Sequence, residues 1–214
     1  VEELDRLNWG TLRALARTVD AKSPWTAGHS ERVTNLAVKT AKAMGLGPSE
    51  VQVVHRAGLL HDIGKIGVPA AILDKPGRLT EAEYDVIKQH PRLGVRILEP
   101  IEAYEEIVPI VLEHHERFDG KGYPEGISGE QICPGARIVA IADVYDALVS
   151  DRPYRAGWEV DRALELVRDE TGRHFDPDVA EAFLRVVADQ PKTMERCMTL
   201  PQLRPCRQVM GQRT

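Results

Sequence analysis

Apolar positions recur at helical spacing along most of this chain, and no stretch of any length alternates as a strand would. In residues 1–20, Val1, Leu4, Leu12, Leu15 and Val19 share one narrow face, interrupted by Asp5 and Asn8. They predict a lead-in helix that either packs on the rest of the chain or pairs with a second copy. Lys22-Ser23-Pro24-Trp25 breaks the pattern. Val33, Leu36, Ala37, Thr40, Ala41 and Met44 then form the inner face of a second helix, with His29 at its start and Gly45 and Gly47-Pro48 at its end. Ser49 with Gln52 resembles a capping box for a third helix, whose apolar run Val51 to Leu60 leads into His61 and Asp62. His55 lies on its apolar side and is assigned to packing. Pro69 to Leu73 predicts a short helical turn, Lys75-Pro76-Gly77 a loop, and Thr80 with Glu83 a second capping box. His90-Pro91 punctuates a segment that continues towards Leu98. Pro109 suits the first turn of a helix running through Ile110, Val111, His114 and His115. A loop rich in Gly and Pro spans residues 119–135, and Ala136 to Leu148 is so apolar that it must be central. Asp161 to Val167 and Asp176-Pro177 to Val187 add two amphipathic helices, the second with an Asp N-cap and Pro at its first position. The pattern predicts an all-α bundle of about seven or more helices with one long loop.

Composition narrows what such a bundle does. A net charge of -5 argues against a general nucleic-acid or membrane-surface binder, so an anionic substrate needs a local patch of cations or metal. Aromatic residues are scarce at 5%, which argues against stacking platforms for single strands. Cys133, Cys197 and Cys206 are odd in number and far apart, without zinc-ribbon spacing, and fit a reducing compartment. No secretory signal or run of about 18 apolar residues is present, so a cytoplasmic location is expected. The chain starts in mid-helix pattern without Met, so residues 1–22 are expected to be a helix and linker following an upstream membrane or sensor region. Residues 23–190 form the main domain. Residues 191–214 carry Lys192, Arg196, Arg204, Arg207 and Arg213 against Glu195, and are expected to be a basic, loosely ordered tail.

His61-Asp62-Ile63-Gly64-Lys65 brings two metal-ligand types and a phosphate-seeking cation onto one side of a helix end. A buried carboxylate there is costly unless a cation offsets it. Taken alone, the stretch reads equally well as a helix end with a capping Lys. His29 alone reads as a core or capping histidine, whereas for His114-His115 two solvent-facing side chains are the lesser alternative. Together, five of the seven histidines (His29, His61, His90, His114, His115) fall at predicted helix ends. Asp143 lies inside the most apolar helix, where a carboxylate needs a strong partner. Histidines mixed with carboxylates and no thiolate suit Fe, Mn, Ni or Zn in a catalytic site. Seven ligands exceed what one ion requires, and two ions sharing Asp62 is the economical arrangement. Such a pair suits phosphoester hydrolysis, with Lys65 donating to a non-bridging oxygen. Arg152 and Arg155 are either a solvated helix exit or a phosphate clamp at the rim.

The motifs His61-Asp62-Ile63-Gly64-Lys65, His114-His115-Glu116-Arg117-Phe118-Asp119-Gly120-Lys121-Gly122-Tyr123-Pro124 and Asp143-Val144-Tyr145-Asp146-Ala147-Leu148 resemble the HD-GYP family of HD phosphohydrolases. Thr26, His29, Ser30, Arg32 and Val33, and Phe175-Asp176-Pro177, look like its flanking motifs. The resemblance covers roughly residues 10–188 and implies an HD-type helical bundle that hydrolyses cyclic di-GMP in bacterial signalling. It implies His29, His61, Asp62 and Asp143 as ligands of one divalent ion, with Fe or Mn favoured over Ni or Zn. Asp62, His90, His114 and His115 would hold the other. Asp62 and Lys65 become the catalytic pair, and Lys65, Asp146, Arg152 and Arg155 the substrate contacts. Gly122-Tyr123-Pro124 is implied as a structural or partner-contact loop, meeting a diguanylate cyclase domain, and Tyr123 itself reads as packed. Family members with three metals carry Glu where this chain has Trp25, whose indole cannot ligate a cation. Two ions and the linear product pGpG are therefore expected. The alternatives are a hydrolase for another cyclic dinucleotide such as cyclic GMP-AMP, and a non-catalytic binding module, whose hallmark would be a missing ligand.

Overall fold

The computed structural model describes residues 2–152 and 155–189. Val1, Pro153, Tyr154, Cys197, Cys206 and the tail expected over 191–214 lie outside the described residues. Regular structure is helical: α1 (Glu2–Asp20), α2 (His29–Ala43), α3 (Pro48–Leu60), α4 (Ala70–Leu73), α5 (Glu81–Ile87), α6 (His90–Leu98), α7 (Val108–Glu113), α8 (Pro134–Val149), α9 (Val160–Asp169) and α10 (Pro177–Ala188). Short 3-10 turns cover Pro24–Thr26, Ile63–Gly67, Glu102–Tyr104 and Gly129–Gln131. The described residues contain two isolated bridges, Arg152 with Arg155 and Thr171 with Phe175, and no strand.

α8 is the axis. Ile138, Val139, Ile141, Ala142 and Tyr145 are buried around its circumference, as its composition requires, and α2, α3, α7, α9 and α10 pack against it. α2 lies between α3 and α8, presenting Val33, Ala37 and Ala41 to the core. α1 also joins that core, through part of the expected face, Leu12 and Val19, with Ala16 beside them. Leu12, Ala16 and Val19, at spacings of four and three, are buried, whereas Leu4 is 71% and Leu15 42% exposed. Ala16 takes the burial expected of Leu15. Trp9 stacks on His55 with ring centroids 4.3 Å apart, so His55 is a packing residue that ties α1 to α3.

The caps explain two boundaries. At α3 the Ser49–Gln52 box does not form; Pro48 occupies the first turn, and the Glu50 carboxylate accepts from the Gly47 N–H at 2.8 Å. Pro48 shifts the start two residues earlier, which makes Gly47 the cap and Glu50 the third helical residue. At α5 Thr80 and Glu83 form the expected reciprocal box. α3 stops at Leu60, so His61 and Asp62 sit at its exit rather than within it, and the chain tightens into the 3-10 turn Ile63–Gly67.

That turn docks on the first turn of α6 so closely that a Cβ on Gly64 would lie 1.9 Å from the His90 carbonyl oxygen. The contact sets His90 beside Asp62. The loop after α7 is held with similar economy. Buried Glu116 accepts from the N–H groups of Glu125 and Gly126 at 2.6 and 3.0 Å. Arg92 of α6 donates to the Pro124 carbonyl and to Glu125. Gly122 lies flat on the backbone of His115 to Arg117, where a Cβ would meet Arg117 N at 2.4 Å.

Candidate metal centre

Each chemistry-bearing side chain comes from the end of an element, except one. His29 opens α2, His61 and Asp62 leave α3, His90 opens α6, and His114 and His115 leave α7. Asp143 projects from the middle of α8. All seven converge in two groups whose ligating atoms lie within 4.8 Å of one another: His29, His61 and Asp143, and Asp62, His90, His114 and His115. Asp62 faces both. Its Oδ2 is 3.4 Å from His61 Nε2 and 3.7 Å from His29 Nε2; its Oδ1 is 3.3 Å from His90 Nε2 and 3.9 Å from His114 Nε2.

Backbone carbonyls fix three of the rings. Nδ1 of His61, His90 and His114 donates to the carbonyls of Gly58, Ile87 and Val111 at 2.7, 2.7 and 2.8 Å. A carbonyl only accepts, so the proton is on Nδ1 and Nε2 offers a lone pair to the centre. The His90 and His114 Nε2 atoms are 3.3 Å apart, two lone pairs facing one another. His61 Nε2 and Asp62 Oδ1 are buried with no hydrogen-bond partner. Converging acceptors that outnumber their donors in a buried pocket fit divalent cations.

The charge pattern differs between the two groups. Burial drives the Asp62 and Asp143 carboxyls upward, but their neighbours win and hold both well below the usual carboxylate range: Lys65 and His61 for Asp62, His29 for Asp143. Burial also pulls His29 down, yet hydrogen bonds to Asp143 and Asp146 raise it to about 9. In the other group, burial and neighbouring imidazoles push His114 well down and His115 to about 3, keeping both rings neutral and able to ligate.

The remaining predicted residues divide. Lys65 Nζ reaches Asp62 Oδ2 at 2.6 Å and lines the cavity above the centre, while Lys22 Nζ donates to the Lys65 carbonyl at 2.9 Å and steadies its backbone. Asp146 is 2% exposed and stands behind His29, accepting its Nδ1–H at 2.7 Å and two bonds from Arg32 at 2.7 and 3.0 Å. Expected as a substrate contact, Asp146 is one turn from Asp143 and faces His29 and Arg32 on the far side of that ligand. It orients the ring, as carboxylates behind metal-binding histidines do. Arg32, one turn after His29, shares that task, and no role was read for it from sequence; its spacing from His29 was the available signal. Arg155 also lines the cavity, but its guanidinium donates to the Ala147 and Leu148 carbonyls at 2.6 and 2.9 Å. It neutralises the C-terminal end of α8, the helix-exit alternative. Arg152 lines the cavity too. Tyr123 packs between His115 and Tyr84, stacked on the former with centroids 4.8 Å apart. That packing agrees with its sequence reading, and the ring also lines the cavity.

A helical bundle with paired histidine–aspartate groups at its centre is a scaffold that could hold divalent metal. The profile of the HD domain family matches residues 13–179, and the chain belongs to that family, in its HD-GYP branch. It is 44% identical to the cyclic di-GMP phosphodiesterase response regulator RpfG of Xanthomonas campestris pv. campestris, over 86% of this chain and 49% of that protein. It is 40% identical to the 3'3'-cGAMP-specific phosphodiesterase 3 of Vibrio cholerae, over 81% and 38%. The chain thus spans about half or less of the length of these relatives. Among solved structures, a cyclic GMP-AMP specific phosphodiesterase of Vibrio cholerae superposes with a TM-score of 0.54 at 36% identity, covering 84% of this chain and 41% of that one. The HD domain of the phosphodiesterase PgpH of Listeria monocytogenes, in complex with cyclic di-AMP, gives a TM-score of 0.60 at 22% identity, covering 81% and 93%, a likeness of fold. No helix among the described residues is long and apolar enough to cross a membrane.

Proposed function

We propose that the chain is a dinuclear metal-dependent phosphodiesterase that hydrolyses cyclic di-GMP, mainly to linear pGpG, in bacterial second-messenger signalling in the cytoplasm. The observation that carries this reading is the position of Asp62, with one oxygen towards each histidine group. Two divalent cations, Fe or Mn before Ni or Zn, would supply charge neutralisation at the attacking and leaving oxygens of an in-line displacement. His29, His61, Asp62 and Asp143 would hold one, and Asp62, His90, His114 and His115 the other. Lys65, already beside Asp62, donates to a non-bridging phosphoryl oxygen, and Arg152 meets the phosphate at the mouth. Water adds to phosphorus, the P–O3′ bond breaks and the 3′ oxygen leaves with a proton, which yields a 5′-phosphorylated linear dinucleotide. Trp25 in place of a third carboxylate supports the stop at pGpG.

The test is metal analysis joined to product chromatography after anaerobic loading with Fe or Mn. About two ions per chain and conversion of cyclic di-GMP to pGpG are expected; one ion or none, with no turnover, removes the reading in favour of a binding module. A second reading, cyclic GMP-AMP as substrate, is favoured by the likeness to the Vibrio cholerae enzymes, and the same chromatography with that dinucleotide decides it. We further propose contact with a diguanylate cyclase domain through Gly122-Tyr123-Pro124, and pairing of two copies through the exposed Leu4, Leu7 and Leu15 of α1.

A further inference from the structure

The cavity is lined by ionic groups and also by apolar side chains, Trp25, Leu73, Ile87 and Ala147 among them. Trp25 is the exposed member, at 40%. Its position is fixed from below. Ser23 accepts the Trp25 backbone N–H and donates its own hydroxyl to Asp74 at 2.6 Å, while the Thr26 hydroxyl donates to the Asp20 carbonyl at 2.6 Å. A 3-10 turn held at both sides thus presents a large rigid ring that makes no aromatic, cation or hydrogen-bond contact of its own among the described residues. Leaving an indole this exposed forgoes part of the burial free energy of a large apolar side chain.

The cavity volume says what the ring is for. At about 270 Å3 it falls below the roughly 300–1,000 Å3 of sites that enclose a drug-sized ligand. A cyclic dinucleotide with one phosphate over the metal centre therefore extends beyond the cavity, where a base can meet the exposed Trp25. An indole is a stacking platform for any purine.

We propose that Trp25 stacks a purine base of the cyclic dinucleotide and so selects nucleotide diesters at this centre. The inference deepens the phosphodiesterase reading and rests on it. The experiment compares wild type, Trp25→Ala and Trp25→Phe in steady-state turnover of cyclic di-GMP with metal content measured alongside. Stacking worth about 1–3 kcal/mol per base predicts a KM raised about 5- to 150-fold in Trp25→Ala, a kcat changed less than threefold, full metal content, and most of the loss recovered in Trp25→Phe. A KM within twofold of wild type overturns the proposal, as does a loss confined to kcat or a Phe variant no better than Ala. In a Trp9→Phe/Trp158→Phe background Trp25 is the remaining tryptophan, and its emission is read on titration with cyclic di-GMP and cyclic GMP-AMP. If wild type turns over neither dinucleotide, the enzyme reading fails separately. Quenching of Trp25 would still support the base contact, and unchanged emission would end it.

Discussion

Asp62 turns its two oxygens to different histidine groups, so no side chain with a single ligating direction can replace it. Asp62→Ala is expected to empty both halves of the centre, reducing metal to well under one ion per chain and turnover to background. Near-normal turnover in that variant would mean that Asp62 bridges nothing. Lys65→Ala acts differently because its amine donates without ligating. Removing one such donor costs on the order of a hundredfold in kcat while metal content stays at its wild-type value. Asp146 is the subtler case. Asp146→Asn keeps the shape but weakens its grip on His29 and Arg32, and metal affinity should fall about 10- to 100-fold. If Asp146 instead touched substrate, the change would appear in KM at saturating metal, so metal titration and kinetics separate the two roles.

At the level of elements, the glycines of two named motifs are explained by what they touch. Gly64 gives the 3-10 turn room to meet the His90 carbonyl, and a methyl there has backbone in its way. Gly64→Ala should cost at least the roughly 1–3 kcal/mol of an overpacked core and lower the melting temperature by several degrees. It should also weaken metal binding through His90, and a variant with unchanged melting and metal content would contradict that coupling. Much of this arrangement was legible in the sequence because helical periodicity marks where apolar faces end, and the ligands sit at those ends. α8 announced itself by its lack of a polar face, which made Asp143 conspicuous. What periodicity cannot state is which of two plausible faces finds a neighbour, so Leu4 and Leu15 were placed inward while Ala16 took the burial. Nor does it state which side of a ligand a residue one turn away will occupy, so Asp146 was read as facing substrate. Sequence alone keeps Arg155 open between two roles because a helix end and a phosphate attract the same cation.

For the whole molecule, stability and chemistry draw on the same buried polar groups. A half-buried histidine away from the centre reports on pH. His174, stacked on Phe175, is held down to about 4 by burial and then by Arg117. In the unfolded chain it takes up a proton near 6.5, so between about 6.5 and 4 the unfolded state binds more protons. Its contribution to stability is present above that window and is lost as pH falls through it. Wild type should therefore lose more melting temperature between pH 7 and 4.5 than His174→Gln, in which this group cannot titrate; parallel losses would remove His174 from the account. The larger lever is the metal itself. Ligands from α2, α6, α8 and the exits of α3 and α7 converge on one point, so cations there would cross-link five segments distant in sequence, and they bind a geometry that the unfolded chain lacks. A ligand at a thousandfold above its Kd adds about 4 kcal/mol to stability, and about 2–4 °C per kcal/mol applies to a chain of this size. Chelation with EDTA should thus lower the melting temperature by on the order of 10 °C, and Fe or Mn should restore it. Asp62→Ala should show no such response, since the point of convergence is gone. A wild-type melting curve indifferent to chelator and to added metal would mean that the seven side chains meet for packing alone.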